Sequence, residues 1–256
     1  MAMDLTHGAV SFGAGLIAGA MNSVAGGGTL LTFPTLIWLG LNSVTANATS
    51  TVAVWPGQVG GMFGYRRELS TLERRFLYLA IPSLIGGLFG AVLLRLTPST
   101  LFDHLVPYLI LFATVLFMVQ EPLQRKIKSS HPDAHRSAAW FLGAVVFQFM
   151  LGVYGGYFGA GIGIMMLAAF SILGMTDIHQ MNGFKNLLGG AVNALAAIYF
   201  ISQKMVYWPD VGVMALGAIA GGYAGAGTAR KIGRTAVRRI AILIGFGMAV
   251  SLFIKH

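Results

Sequence analysis

The sequence predicts an all-α polytopic membrane protein built from two inverted repeats, each a broken, re-entrant helical hairpin followed by three transmembrane helices. Three observations lead there. The 256 residues are 56% hydrophobic and only 10% charged, with mean hydropathy +0.74, a balance foreign to soluble globular domains. Apolar runs of spanning length recur from end to end, at residues 48–64, 76–94, 105–119, 187–201, 211–227 and 240–254. The chain also repeats itself: Gly19 meets Gly155 and Gly27 meets Gly163 at one offset, and after one residue of slippage Asn47 meets Asn182 and Gly86, Gly87 and Gly90 meet Gly221, Gly222 and Gly225.

The first repeat, residues 1–121, opens with hairpin arms at 8–25 and 29–39. Between them the stretch from Asn22 to Pro34 interrupts an apolar chain with Asn22, Ser23 and three consecutive glycines, Gly26, Gly27 and Gly28. Helix interiors disfavour glycine, so the backbone should unwind there and leave amides that lipid tolerates only beside a cavity or ligand. The helix restarting at Thr29 would turn its positive N-terminal end toward that cavity, which suits an anion. The second repeat, residues 137–256, has arms at 137–154 and 164–173 around a weaker glycine break containing Gly161 and Gly163. The second arm of each hairpin is too short for a hydrocarbon core of about 30 Å, so both hairpins are expected to be re-entrant.

Charge sets the orientation. Of 17 Lys and Arg, 13 fall in three loops: Arg66, Arg67, Arg74 and Arg75; Arg125, Lys126, Lys128 and Arg136; Arg230, Lys231, Arg234, Arg238 and Arg239. Those loops are expected to be cytoplasmic, with the middle one, residues 122–136, linking the repeats. Counting from them runs the two repeats in opposite senses. The net charge of +9 thus marks membrane orientation and not a nucleic-acid partner. The first apolar run lacks a basic leader, which predicts no cleaved signal peptide. The absence of cysteine excludes disulfides and thiolate chemistry.

Polar residues continue onto the helix after each hairpin. Asn47, Thr51 and Gln58 share one helical face, and Asn182, Asn186 and Asn193 repeat it. Such a stripe faces protein or water. Asn47, Thr49, Ser50, Thr51, Asn182 and Asn186 are site candidates because they lie beside the returning hairpins. Gln58 and Asn193 equally suit interhelical hydrogen bonding. Lys185 either snorkels to the interface or supplies positive charge to an anionic substrate. Gly86, Gly87 and Gly90, with their second copy, read as close helix packing. No acidic residue falls inside a predicted span, so no carboxylate proton relay is expected. No nucleophile and base pair, histidine ligand pair or cofactor fingerprint occurs in the spans, which argues against an enzyme, a metal site or a cofactor.

The runs GLIAGAMNSVAGGGTLLTFPTLIWLGLNSVTANATSTVAVWPG, YRREL, GGYFGAGIGIMMLAAFSILGM and MNGFKNLLGGAVNALAAIYF resemble the sulfite exporter TauE/SafE family over nearly the whole chain. The resemblance implies a multi-pass transporter of the bacterial cytoplasmic (inner) membrane that moves sulfite, a sulfonate or another small organic anion. It also implies that Gly26 to Gly28, Gly159 to Gly163 and the following helix contact substrate. The second break reads Gly-Ala-Gly-Ile-Gly, looser than the first. The expected partners are a small anion and the lipid bilayer, with assembly as a homo-oligomer left open. An anion channel and a transporter of small carboxylates are the alternatives.

Overall fold

The computed structural model describes residues 4–24, 27–64, 69–70, 74–129, 138–173, 175, 177–232 and 234–255. They form two successive sets of five helices: α1 Leu5–Val24, α2 Thr29–Trp38, α3 Ser43–Gly64, α4 Ala80–Leu96 and α5 Ser99–Ser129; then α6 Ala138–Tyr157, α7 Ile162–Ile172, α8 Ile178–Ser202, α9 Trp208–Ile232 and α10 Arg234–Lys255. A single turn, Arg74–Leu77, precedes α4. The apolar run expected at 76–94 thus breaks near Tyr78 and Leu79, just before Pro82, a residue suited to a first helical turn. The segment expected as a linker begins inside a helix, since α5 continues to Ser129.

The helix ends show why the chain stops where it does. After α2, Gly40 takes a left-handed φ of 97°, and the N–H groups of Gly40 and Leu41 donate back to Ile37 and Leu36. That is the Schellman arrangement, which satisfies carbonyls at a helix end. The same pattern closes α8 at Lys204, with φ 56° and N–H groups of Lys204 and Met205 returning to Ile201 and Phe200.

Packing partners exchange between the two sets of five helices. Helix α1 lies along α9 and α6 along α4; α3 packs on α9 and α8 on α4; α3 meets α8, and α5 meets α10. The α1/α9 and α6/α4 seams are backbone to backbone. A Cβ at Gly15, Gly19, Gly217 or Gly221 would overlap a carbonyl of the facing helix, and so would one at Gly86, Gly90, Gly152 or Gly156. Small residues let helices approach this closely where lipid offers no hydrophobic drive between them. The register differs from the sequence alignment. Val24 and Tyr157, the ends of α1 and α6, stand 133 residues apart, as do the starts of α2 and α7, so Gly27 and Gly163 do not occupy matching positions.

The core is aromatic where the two hairpins meet. Phe33 of α2 sits edge-on to Phe158 at 5.3 Å and to Phe102 of α5 at 6.4 Å, and Phe102 in turn meets Tyr157. Outward faces are the reverse of a soluble protein: Ile81, Ile85, Phe89, Leu142, Met150 and Leu216 are exposed, Leu142 and Leu216 by more than 60%. Ser99–Val119 and Gln180–Ser202 are each long and apolar enough to cross a membrane by length and composition. An exposed apolar surface of this extent suits hydrocarbon contact and not water.

The seams predict two opposite outcomes for glycine replacement. Gly86→Ala should lower unfolding stability in detergent by about 1–3 kcal/mol through overpacking against the Phe149 carbonyl. Gly143→Ala, where nothing lies within 4 Å, should be neutral or raise stability by up to about 1 kcal/mol. Thermal unfolding followed by size-exclusion recovery reads both.

Candidate functional site

Each hairpin breaks its helix with glycine and then repairs the exposed backbone with a side chain. At the first break Gly27 has a φ of 91°, and the Asn22 Oδ1 accepts the Gly28 N–H at 2.7 Å. At the second, Gly159 and Gly161 have φ of 76° and 77°. The Tyr154 hydroxyl donates to the Ala160 carbonyl at 2.7 Å, and Asn47 Nδ2 donates to the Tyr157 carbonyl at 2.8 Å. Asn47, on α3, thus braces the end of α6. Buried backbone groups left unpaired would each cost about 1–3 kcal/mol, so these three side chains make the breaks tolerable.

The two breaks face one cavity of about 50 Å³. Its wall takes Asn22, Gly27 and Thr29 from the first hairpin and Gly159, Ile162, Gly163 and Met166 from the second. Helix α3 adds Gly57 and Gln58, and α8 adds Lys185, Asn186, Gly189, Gly190 and Asn193. The volume exceeds what one water needs and fits a small solute. Both short helices begin at this wall, so their positive ends point into it.

Polar chemistry in the wall is lopsided. Lys185, 5% exposed, is the one ionisable residue among the described lining residues, and its Nζ donates to Asn182 Oδ1 at 3.2 Å. The Lys185 stem runs past Gly163, where an added Cβ would lie 3.0 Å from Cδ. Asn22 is also buried, and while its Oδ1 is used at the hairpin, its Nδ2 has no hydrogen-bond partner among the described residues. Buried donors in native proteins are almost always satisfied, so an unpaired amide in a cavity wall marks a place for an acceptor. Across the cavity, Asn193 Nδ2 donates to Gln58 Oε1 at 2.9 Å, and Trp55 Nε1 donates to the Gly190 carbonyl at 3.1 Å, joining α3 to α8.

Among the residues singled out from the sequence, Asn22, Gly27, Thr29, Gly163, Lys185 and Asn186 therefore stand in the wall. Gly28 supports Asn22, and Asn182 supports Lys185. Gly161 caps α7 and faces Leu116 and Ala113. Asn47, Thr49, Ser50 and Thr51 do not line the cavity. Asn47 braces Tyr157, Thr49 Oγ1 accepts the Tyr207 N–H at 3.0 Å, Ser50 bonds Thr32, and the Thr51 hydroxyl returns to the Asn47 carbonyl. Gly26 and the Ser23 side chain lie outside the described residues. Gln58 and Asn193 do both things that the sequence offered as alternatives, bonding each other and lining the cavity.

The expectation that no acidic residue falls inside a span needs correction at the start of α9. Asp210, in the first turn of α9, is fully buried and accepts from Ser11 Oγ at 2.7 Å, with His7 Nε2 at 2.8 Å from the same Oδ1. The apolar run begins at Val211, which hid its neighbour. This set is not a hydrolytic triad, because the carboxylate, and not the imidazole, stands between the other two.

The sequence pattern of the family described as sulfite exporter TauE/SafE matches residues 11–252. The chain belongs to the TauE/SafE family. A probable membrane transporter protein of Haemophilus influenzae is 24% identical over 95% of this chain and 93% of its own length. The probable membrane transporter protein YfcA of Escherichia coli K12 is 25% identical over 95% and 88%, and one from Sinorhizobium is 24% identical over 94% and 90%. No solved structure matches. With the exposed apolar helices, the family and these relatives make the chain an integral membrane protein of transporter type and not an enzyme.

Two polar positions of the expected stripes should respond unequally to alanine. Asn47→Ala leaves the buried Tyr157 carbonyl without its donor and should cost about 1–3 kcal/mol of stability. Asn186→Ala, in the cavity wall, should change stability by less than about 0.5 kcal/mol. Thermal unfolding of the two variants in the same detergent checks the difference.

Proposed function

We propose that this TauE/SafE protein is a secondary transporter that carries a small anion, sulfite or a sulfonate-like organosulfur anion, across the bacterial inner membrane by alternating access. The observation that carries the anion reading is the unpaired Asn22 Nδ2 in the same wall as the Lys185 ammonium, with no carboxylate among the described lining residues. An oxyanion would accept from both donors while the N-terminal ends of α2 and α7 add positive potential. The family description names sulfite, and the sulfonate class follows from the resemblance set out above.

Alternating access is supported by the way the packing partners exchange between the two sets of five helices. In this reading the repeats are inverted, α2 and α7 are re-entrant arms of 10 and 11 residues that end near the midplane, and the three basic clusters, expected as loops but carried mostly on helix ends, face the cytoplasm. The cavity lies where α3 and α8 cross, so rocking one set against the other would open it to one side at a time.

The test is uptake into proteoliposomes, with labelled sulfite, methanesulfonate and small carboxylates as probes. Asn22→Asp keeps the acceptor for the Gly28 N–H but replaces the donating amide with a negative charge, so it should abolish anion uptake while leaving a folded protein. Lys185→Ala should weaken apparent affinity about tenfold or more, and Lys185→Arg should retain part of it. Uptake by Asn22→Asp at the wild-type rate would remove the reading.

A further inference from the structure

The seam between α1 and α9 holds a second polar cluster well away from the cavity. His7 and Asn22 lie on the same helix, fifteen residues apart, which is about 22 Å of rise. Asp210 is fully buried and His7 nearly so. Oδ1 of Asp210 takes both contacts, from Ser11 Oγ and His7 Nε2, whereas its Oδ2 is buried with no partner among the described residues. Among the described residues the other seam shows no counterpart: there Gln148 Nε2 donates to Ser83 Oγ at 2.8 Å and both groups are neutral. Among them an imidazole–carboxylate pair is therefore built into one seam only, which close packing alone would not demand.

We propose that His7 and Asp210, with Ser11 donating to the carboxylate, form a proton-binding site that couples transport to the proton gradient. With a proton on the imidazole the pair is neutral overall and suits a dry seam. When the proton leaves, the imidazole is neutral and the buried carboxylate keeps an uncompensated charge, with one oxygen already bare. Burying an isolated charge is strongly unfavourable, so the deprotonated seam favours opening to water. The proton is taken from water on one face and returned to water on the other, with no other bond made or broken. Helix α1 also carries Asn22, so a change in its packing on α9 moves the first hairpin tip and the cavity wall with it.

Few other ionisable groups adjoin the pair among the described residues. Helices α2 and α3, both packed on α1, carry no ionisable side chain. On α1 itself Asp4 Oδ1 accepts the His7 N–H at 2.7 Å. Tyr207 and Lys204 precede α9, and Tyr223, Arg230 and Lys231 lie farther along it. Helix α10 carries Arg234, Arg238 and Arg239 at its start and Lys255 at its end. A metal cation is the poorer occupant, because the continuous helices α1 and α9 offer few free carbonyls and the cluster supplies one carboxylate, one imidazole and one hydroxyl, fewer strong ligands than a cation site takes.

The coupling part of this inference rests on the anion-transport reading, whereas the proton site does not, and the test separates them. Purified protein in nanodiscs is titrated without substrate between about pH 8 and about pH 5, the span over which histidine changes charge. Asp210→Asn should bind about one proton fewer than wild type. In proteoliposomes, Asp210→Asn should lose at least about tenfold of pH-gradient-driven methanesulfonate accumulation while keeping exchange of labelled for unlabelled methanesulfonate. Methanesulfonate holds its charge across this range, so its own titration cannot imitate coupling. His7→Gln should behave likewise and replaces Asp210→Asn if that variant is not recovered folded. Equal proton binding and undiminished accumulation in both variants would overturn the proposal. If wild type exchanges no methanesulfonate, the proton count alone decides the site.

Discussion

The structure depends on how interrupted backbone is satisfied inside a low-dielectric bundle. Each glycine break strips a helix of internal hydrogen bonds, and water is not at hand to replace them. The Asn22 amide oxygen, the Tyr154 hydroxyl and the Asn47 amide take over that task at Gly28, Ala160 and Tyr157. Two consequences follow. The breaks become fixed geometry and not loose loops, so α2 and α7 start at defined points. Asn22, having spent its oxygen on the backbone, stands in the cavity wall with a nitrogen that has no partner among the described residues. One residue thus connects the fold to the chemistry proposed for it.

The second constraint is close approach. The long seams of α1 with α9 and of α6 with α4 tie the first helix of each set of five to the fourth helix of the other. Because a Cβ would overlap backbone carbonyls there, the glycine-lined lengths of the seams leave little freedom to slide, whereas the His7–Asp210 end of the α1/α9 seam lies outside that length. The cavity forms between these seams, where α3 and α8 touch through Gln58 and Asn193 and through Trp55 and Gly190. A bundle with close-packed pairs around a middle that holds a polar-lined cavity has a natural place to rock.

Much of this was readable from residues alone, and the misses have physical causes. Apolar runs located the long helices, since hydrocarbon contact writes itself into composition. The triple glycine located the first break, but the register of the repeat came out three residues long in the hairpin, because glycines in the two breaks serve different positions. Helical spacing put Asn47, Thr51 and Gln58 on one face, yet periodicity cannot say how far along that face the cavity reaches. Asn47 braces a hairpin and Gln58 lines the wall, although both belong to the same stripe. Gly57, Gly189 and Gly190 carry no polar signal and are found only once α3 and α8 are seen to cross. Asp210 was missed because it sits one residue before an apolar run and is hidden by a helix from the other end of the chain.

The central claim is that an anion sits between the two hairpin tips, held by Asn22 and Lys185. The most direct measurement is anomalous diffraction from crystals grown with selenite, a selenium analogue of sulfite. The account predicts a selenium peak inside the cavity, with oxygens within about 3 Å of Asn22 Nδ2 and Lys185 Nζ. A saturated selenium site elsewhere in the molecule, with this cavity empty, would contradict it.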